Sequence, residues 1–253
     1  MRRAQYPIHV LLALAVLTLT VTSFPVRAGV LDQSLWRAIA QRSVVRTAAA
    51  ERVAMQRVLR DLDLQTARRI EQKFGTSLSR AQVAQLKQCR ACFLSPAAYE
   101  ARLRSAYPSL SAAQRQRIVG DYLGRPYVRT GTKGIPTTVA HERLHPLLSR
   151  QYQQSAGRRL SEGTVEHLAQ KIHRIPPIRN YPAAYADERQ IIGMLESKVG
   201  ERAIQRAAFA GEMGPIRSAL QTRRGRDQWP DLVKAVEQGD FASARRIIHT
   251  GGR

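Results

Sequence analysis

Cysteine is nearly absent: the chain has two, Cys89 and Cys92, in the arrangement Cys-Arg-Ala-Cys. A structural zinc site built on thiolates usually takes four ligands from two such pairs, and the second pair is missing. A redox role would want a thioredoxin-like βαβ setting, which the surrounding sequence does not offer. In an oxidising compartment the two thiols are expected to close a small local disulfide. Aromatic residues are also scarce, at 6%, and 19 acids face 41 lysines and arginines. The resulting net charge of +22 favours anionic partners, such as an anionic surface or an acidic protein. It argues less for specific nucleic-acid binding, because the basic residues are scattered along helical stretches with few aromatics and no long basic tract. Long hydrophobic runs are missing as well. The longest, over 10–21, has about twelve residues, well short of the ~20 needed to span a bilayer. No internal repeat or low-complexity tract is present.

That apolar run has the surroundings of a secretory signal. Arg2 and Arg3 precede it, and Val26-Arg27-Ala28 follows it with modest residues where a signal peptidase reads. The expectation is cleavage after Ala28 and an exported protein without a transmembrane segment. Removing 1–28 leaves 225 residues, enough for one large or two small domains, and takes the charge from +22 to +19.

Residues 31–73 are expected to be helical: Leu31, Leu35, Ile39, Val45, Val53, Val58 and Leu62 recur at roughly helical spacing. Gly75-Thr76-Ser77 interrupts them, and Ser79 is placed to cap a helix toward Lys87. Pro96 and Pro108 are expected to break the next stretch, and Ser111 to open a helix ending near Leu123. Residues 124–137, with three glycines and two prolines, read as a loop around a short β-prone piece at 127–130. Helices are then expected at 137–154, 161–174, 184–208, 214–223 and 229–248. A loop marked by Pro176, Pro177 and Pro182 should precede the third, and Gly200 should lie inside or between its parts. The fold class is mainly α with a small β element. Three parts are expected: the signal at 1–28, a helical region at 29–124 (a propeptide or substrate-binding layer), and a core at 125–253.

The chemistry-bearing motif is His141-Glu142-Arg143-Leu144-His145. Positions i and i+4 of a helix lie on one face a turn apart, so the two imidazoles can reach one metal ion, with Glu142 beside them. Neutral imidazole binds zinc, zinc acidifies water, and a carboxylate takes the proton as that water attacks a carbonyl. Thr137-Thr138-Val139-Ala140 and Leu144, Leu147 and Leu148 give this helix a buried face. Pro146 should kink or end it directly after His145. A catalytic zinc needs a third protein ligand. Leu148 and Gln151 stand where a three-histidine form would need glycine and histidine, which excludes that form. The next helix, expected to open at Ser161 as N-cap, offers Glu162 and Glu166 one turn apart. Glu162 is the expected ligand and Glu166 the residue that orients a histidine from behind; Glu166 and His167 are the alternatives for the ligand. For a donor to the oxyanion the candidates are Tyr181, Tyr185, His173 and Arg189, with Tyr185 preferred.

The motif helix followed by Ser161-Glu162-Gly163-Thr164-Val165-Glu166 resembles the gluzincins, a group of zinc metallopeptidases. Residues 181–211 are also similar to a stretch of small bacterial zinc-peptidase-like proteins, and together the resemblances cover about 125–212. The gluzincin likeness implies His141, His145 and Glu162 as zinc ligands and Glu142 as general base. It implies a zincin-like fold, with the catalytic helix beside a small sheet whose edge strand holds extended peptide. The segment 127–130 is the expected edge. The expectation is thus a zinc-dependent peptidase acting on peptides or proteins. The rivals are a basic protein that docks on polyanions without catalysis, and a zinc-binding zincin that has lost activity.

Overall fold

A computed structural model describes residues 33–132, 134–173 and 185–252. The expected signal peptide at 1–28 and the proline loop with Tyr181 lie outside these residues. The chain divides into two compact units, Met1–Val53 and Ala54–Arg253. Of the first, residues 33–53 are described, as helix. Everything that follows concerns the second. Among the described residues no helix is long and apolar enough to cross a membrane.

Helix α1 (Gln33–Phe74) enters the core through Leu59, Asp63, Thr66, Ala67, Ile70 and Phe74, three or four residues apart on one stripe. Val58, part of the expected apolar periodicity, is instead exposed. After a 3-10 turn at Gly75–Ser77, Ser79 caps α2 (Arg80–Gln88) in a reciprocal capping box with Gln82. Pro96, expected to break a helix, opens α3 (Pro96–Ala106), since Ser95 caps it and a first-turn proline gives up no intrahelical bond. Ser111 caps α4 (Ala112–Arg117) as expected. That helix stops well short of Leu123, because Gly120–Tyr122 joins a sheet as β2.

The sheet has three strands: β1 (Cys92–Leu94), β2 and β3 (Pro126–Arg129), in the order β1-β3-β2. Strand β3 pairs parallel with β1 and antiparallel with β2, with Val128 opposite both Phe93 and Gly120. The expected edge strand at 127–130 is therefore the centre of the sheet, and the edges are β1 and β2. Two of the three strands precede residue 124, so the sheet spans the boundary expected there, as does the unit Ala54–Arg253. Cys89 ends α2 and Cys92 starts β1, and both are free thiols, so the expected disulfide is not formed.

Helix α5 (Ile135–Leu144) packs on β2 and β3. It starts at Gly134, held at φ 79°, and ends where Pro146 removes a donor; His145–Leu147 continues as a 3-10 turn. Helix α6 (Arg150–His173) is kinked at Gly157, at φ 69° and ψ −176°. The helix expected over 137–154 is thus interrupted at the proline turn, and the break expected between 154 and 161 is the kink at Gly157. A Cβ on Gly157 would stand 2.7 Å from Glu237 Oε1, and that oxygen accepts from the Arg159 amide at 2.7 Å beside the kink. Ser161 lies inside the helix rather than at its N-cap, donating from its hydroxyl to the Gly157 carbonyl at 2.6 Å. The remaining helices are α7 (Ala186–Val199), α8 (Glu201–Ala210), α9 (Gly214–Ala219), α10 (Trp229–Glu237) and α11 (Phe241–Thr250). Gly200 separates α7 from α8. The expected tail helix over 229–248 is two, split at Gly239 (φ 76°) and the capping Asp240.

The result is mainly helical with a small three-stranded sheet. Its core joins α1, α5, α6, α7, α8, α10 and α11 through residues such as Phe74, Leu144, Leu168, Ile191, Phe209 and Trp229.

Candidate functional site

The site is built where α5 meets α6. Every residue from Thr137 to Leu144 is buried, so the His-Glu-x-x-His helix runs through the core rather than over the surface. Arg143, the third residue of the motif, shows how firmly it is held. Its guanidinium is 1% exposed and donates to Asp63 of α1 through Nε at 2.5 Å and Nη2 at 2.8 Å, and to the Leu86 carbonyl at 2.7 Å. Buried charge is tolerated only when paired and hydrogen-bonded in this way.

His145 keeps helical backbone angles (φ −49°, ψ −50°) although the helix ends beside it. The rings of His141 and His145 therefore still converge, 4.8 Å apart between centroids and at 71° to each other. Glu162, from α6, brings Oε2 to 3.2 Å from His141 Nε2 and 3.5 Å from His145 Nε2. Glu166, one turn further on, meets the other ring nitrogen of His141, Nδ1, at 3.1 Å. Gly163 allows this approach: a Cβ there would lie 2.5 Å from Glu188 Cβ of α7, so only glycine lets the two helices close at that point.

Glu142 is 4% exposed, and its Oε2 has no hydrogen-bond partner among the described residues. Burial pushes its carboxyl up to about 7, against the pull of His141 and His145. Gly120 of β2 sits against it; an added Cβ would be 2.9 Å from Glu142 Cδ and 2.6 Å from Thr138 Cγ2. For His141, burial disfavours the proton. The hydrogen bonds to Glu162 and Glu166 and the charge of Glu142 outweigh it and raise the imidazole to about 10. Glu162 is held well below the usual carboxylate range: its burial is overcome by the hydrogen bonds from the two histidines.

These groups form the floor of a cleft of about 590 Å³. Its walls come from the end of α4, from β2, and from Arg158 and Tyr185. Tyr185 precedes α7 at φ 65°, a left-handed conformation uncommon outside glycine. Its ring lies 6.1 Å from that of His141 and nearly parallel to it, and burial raises its phenol, keeping it a donor.

Of the residues singled out from the sequence, His141, Glu142, His145, Glu162 and Tyr185 meet in one cleft, with Glu166 behind His141. His167, the alternative ligand, turns to α7 and contacts Glu196 at 2.7 Å. The Arg189 guanidinium donates to Gln170. Sequence reasoning missed Tyr107, Arg117, Asp121, Tyr122 and Arg158. Tyr107 donates to Asp121 Oδ1 at 2.8 Å, while Asp121 Oδ2 is buried without a partner among the described residues. The Gly120-Asp121-Tyr122 triplet carried little signal, since glycine and aspartate are depleted in strands and glycine commonly follows a helix end.

Three side chains offer donor atoms within 4.8 Å of one another: His141, Glu142 and His145. Replacing Glu142 by Glu162 gives the better metal set. Ligands about 2.0–2.1 Å from a tetrahedral zinc stand roughly 3.3–3.4 Å apart, and the Glu162 distances of 3.2 and 3.5 Å bracket that spacing. No family model, curated protein or solved structure matches the chain.

Proposed function

We propose that the protein is a zinc-dependent peptidase with a zincin-like core, in which His141, His145 and Glu162 hold the metal and Glu142 is the general base. The observation that carries this reading is one Glu162 oxygen lying 3.2 and 3.5 Å from the Nε2 atoms of two converging imidazoles, beside the buried Glu142 carboxylate, one of whose oxygens has no hydrogen-bond partner among the described residues. The resemblance of the same residues to the gluzincin motif agrees with it. Zinc bound there supplies Lewis acidity, polarising the scissile carbonyl and making the attacking water more acidic.

The chain's own groups supply the rest. Glu166 fixes the His141 ring through Nδ1, so that Nε2 faces the metal. Glu142 takes a proton from the attacking water and returns it to the amine nitrogen as the carbon–nitrogen bond breaks; a carboxyl near 7 suits both transfers. Tyr185 is the donor for the oxyanion, and its wall position at a strained backbone angle fits a functional role. β2, an edge strand in the wall, takes the place of 127–130 as the strand for extended peptide. With the charged start and short apolar run before Ala28, the protein is proposed to act after export.

The test is hydrolysis of a mixed peptide library by zinc-loaded protein. Cleavage should vanish on chelation, return with zinc, and fall roughly 10²- to 10⁴-fold in Glu142→Gln with zinc still bound. Cleavage that survives Glu142→Gln contradicts the mechanism.

A further inference from the structure

The cleft wall carries two arginines that the proposed chemistry does not use. Arg117 closes α4 and leads into β2; Arg158 is the first residue after the Gly157 kink. Arg158 stands four residues before Glu162, so the two share one helix face a turn apart. The spacing that joins His141 to His145 therefore also places Arg158 next to the proposed metal. Neither arginine has a side-chain hydrogen bond or ion pair among the described residues. Elsewhere in the unit the arginines near acids are engaged: Arg143 with Asp63, Arg115 with Glu100, Arg159 with Glu188, Arg245 with Asp187. Arg158 lines the cleft together with Tyr107 and Tyr185, close enough for its charge to act on both.

The charges around the cleft do not cancel. A doubly charged zinc offsets Glu142 and Glu162. Asp121 then remains, with Tyr107 donating to one of its oxygens, against Arg117 and Arg158. Glu166 lies behind His141 and is not part of the wall. A positively charged wall beside a peptide-binding edge selects a negative group on the peptide, and the forked guanidinium suits a planar carboxylate.

We propose that the cleft selects peptides carrying a carboxylate next to the scissile bond, held by Arg117 and Arg158. The carboxylate is either the free C-terminus or an acidic side chain. This rests on the peptidase reading and deepens it by naming the substrate class.

The test is calorimetric titration of zinc-loaded Glu142→Gln, full chain, with zinc content measured on the same sample. Four N-acetylated tetrapeptides serve as probes: an alanine peptide as free acid, the same peptide as C-terminal amide, and two amides with one glutamate or one glutamine. A free acid binding roughly tenfold or more tighter than its amide, the range for a charge-assisted hydrogen bond, identifies the C-terminus. The same margin for the glutamate over the glutamine amide identifies a side chain. Either preference should collapse toward unity when Arg117→Ala and Arg158→Ala are added, and Arg158→Lys should restore part of it. Equal binding of all four peptides, or a preference that survives both substitutions, overturns the substrate class while leaving the peptidase reading intact. Protein that takes up no zinc overturns both.

Discussion

His141 and His167 are both largely enclosed histidines, each within hydrogen-bond distance of a glutamate, yet their surroundings differ in sign. His141 meets two carboxylates, Glu162 and Glu166, with a third, Glu142, nearby; among the described residues no lysine or arginine bonds to any of those four. His167 meets Glu196, which also takes Lys171 at 2.6 Å; Lys171 continues to Glu201 at 3.1 Å, and Glu201 to Lys73 at 3.0 Å. The imidazoles respond accordingly. His141 is raised to about 10, whereas burial and the charges of Lys171 and Arg189 lower His167 despite Glu196. The second cluster is complete: acids and bases alternate, and a cation would displace a partner already present. The first has more carboxylate than cation, and it opens onto a cleft. A histidine–glutamate contact alone therefore says little. The excess of carboxylates around converging imidazoles is what sets the proposed metal site apart from the second cluster.

The largest expected effect comes from the buried pair that anchors the first cluster. Asp63→Ala strands Arg143, 1% exposed, and should cost about 3–5 kcal/mol of folding stability. Lys171→Met in the second cluster removes a partly exposed partner and should cost about 1 kcal/mol or less. Denaturant titration of both variants measures the contrast, and equal losses would erase it.

Two glycines sharpen the comparison next. Gly120→Ala drives a methyl into the Glu142 carboxyl, and a misplacement of about 1 Å should lower hydrolysis roughly 10²-fold. Gly193→Ala on α7 meets only His167 Cε1, at an ordinary 3.8 Å. It should leave hydrolysis alone and raise stability by about 0.5–1 kcal/mol, since glycine is a poor helix residue.

pH separates the clusters more gently. In metal-free protein His141, at about 10, holds its proton across neutral pH, and a metal must displace it. Below that value each unit of falling pH strengthens the proton's competition, so zinc affinity should rise about tenfold per unit from pH 6 to 9. Calorimetry in buffers of different ionisation enthalpy should report about one proton released per zinc. Affinity flat over that range would contradict the electrostatics described for His141.

What was legible in the sequence is what one or two turns of chain decide. The spacing from His141 to His145, the caps at Ser79 and Ser111, and the stop at Pro146 are local, and each was readable. The pairing of Glu162 and Glu166 with the motif rested on the zinc's need for a third ligand and on the resemblance, because nothing local places α6 against α5. The features that escaped depend on distant partners. Arg143 has no local partner in the motif; the partner that buries it, Asp63, lies far back on α1. The kink at Gly157 is met by Glu237 on α10, a partner far along the chain, and Ser161, the expected N-cap, lies beyond it inside the helix. The strand Gly120–Tyr122 is too short for periodicity to reveal, and only β3 makes it a strand; hence the expected edge at 127–130 became the sheet's centre.

The central claim is that the first cluster, and not the second, holds a metal. It is tested most directly by zinc content, measured by mass spectrometry on untagged protein for the wild type, Glu162→Ala, His141→Ala and Glu196→Ala. The account predicts one zinc per chain in the wild type and in Glu196→Ala, and loss of it in the other two. A wild type that takes up no zinc when it is supplied, or zinc retained in Glu162→Ala and His141→Ala but lost in Glu196→Ala, would contradict it.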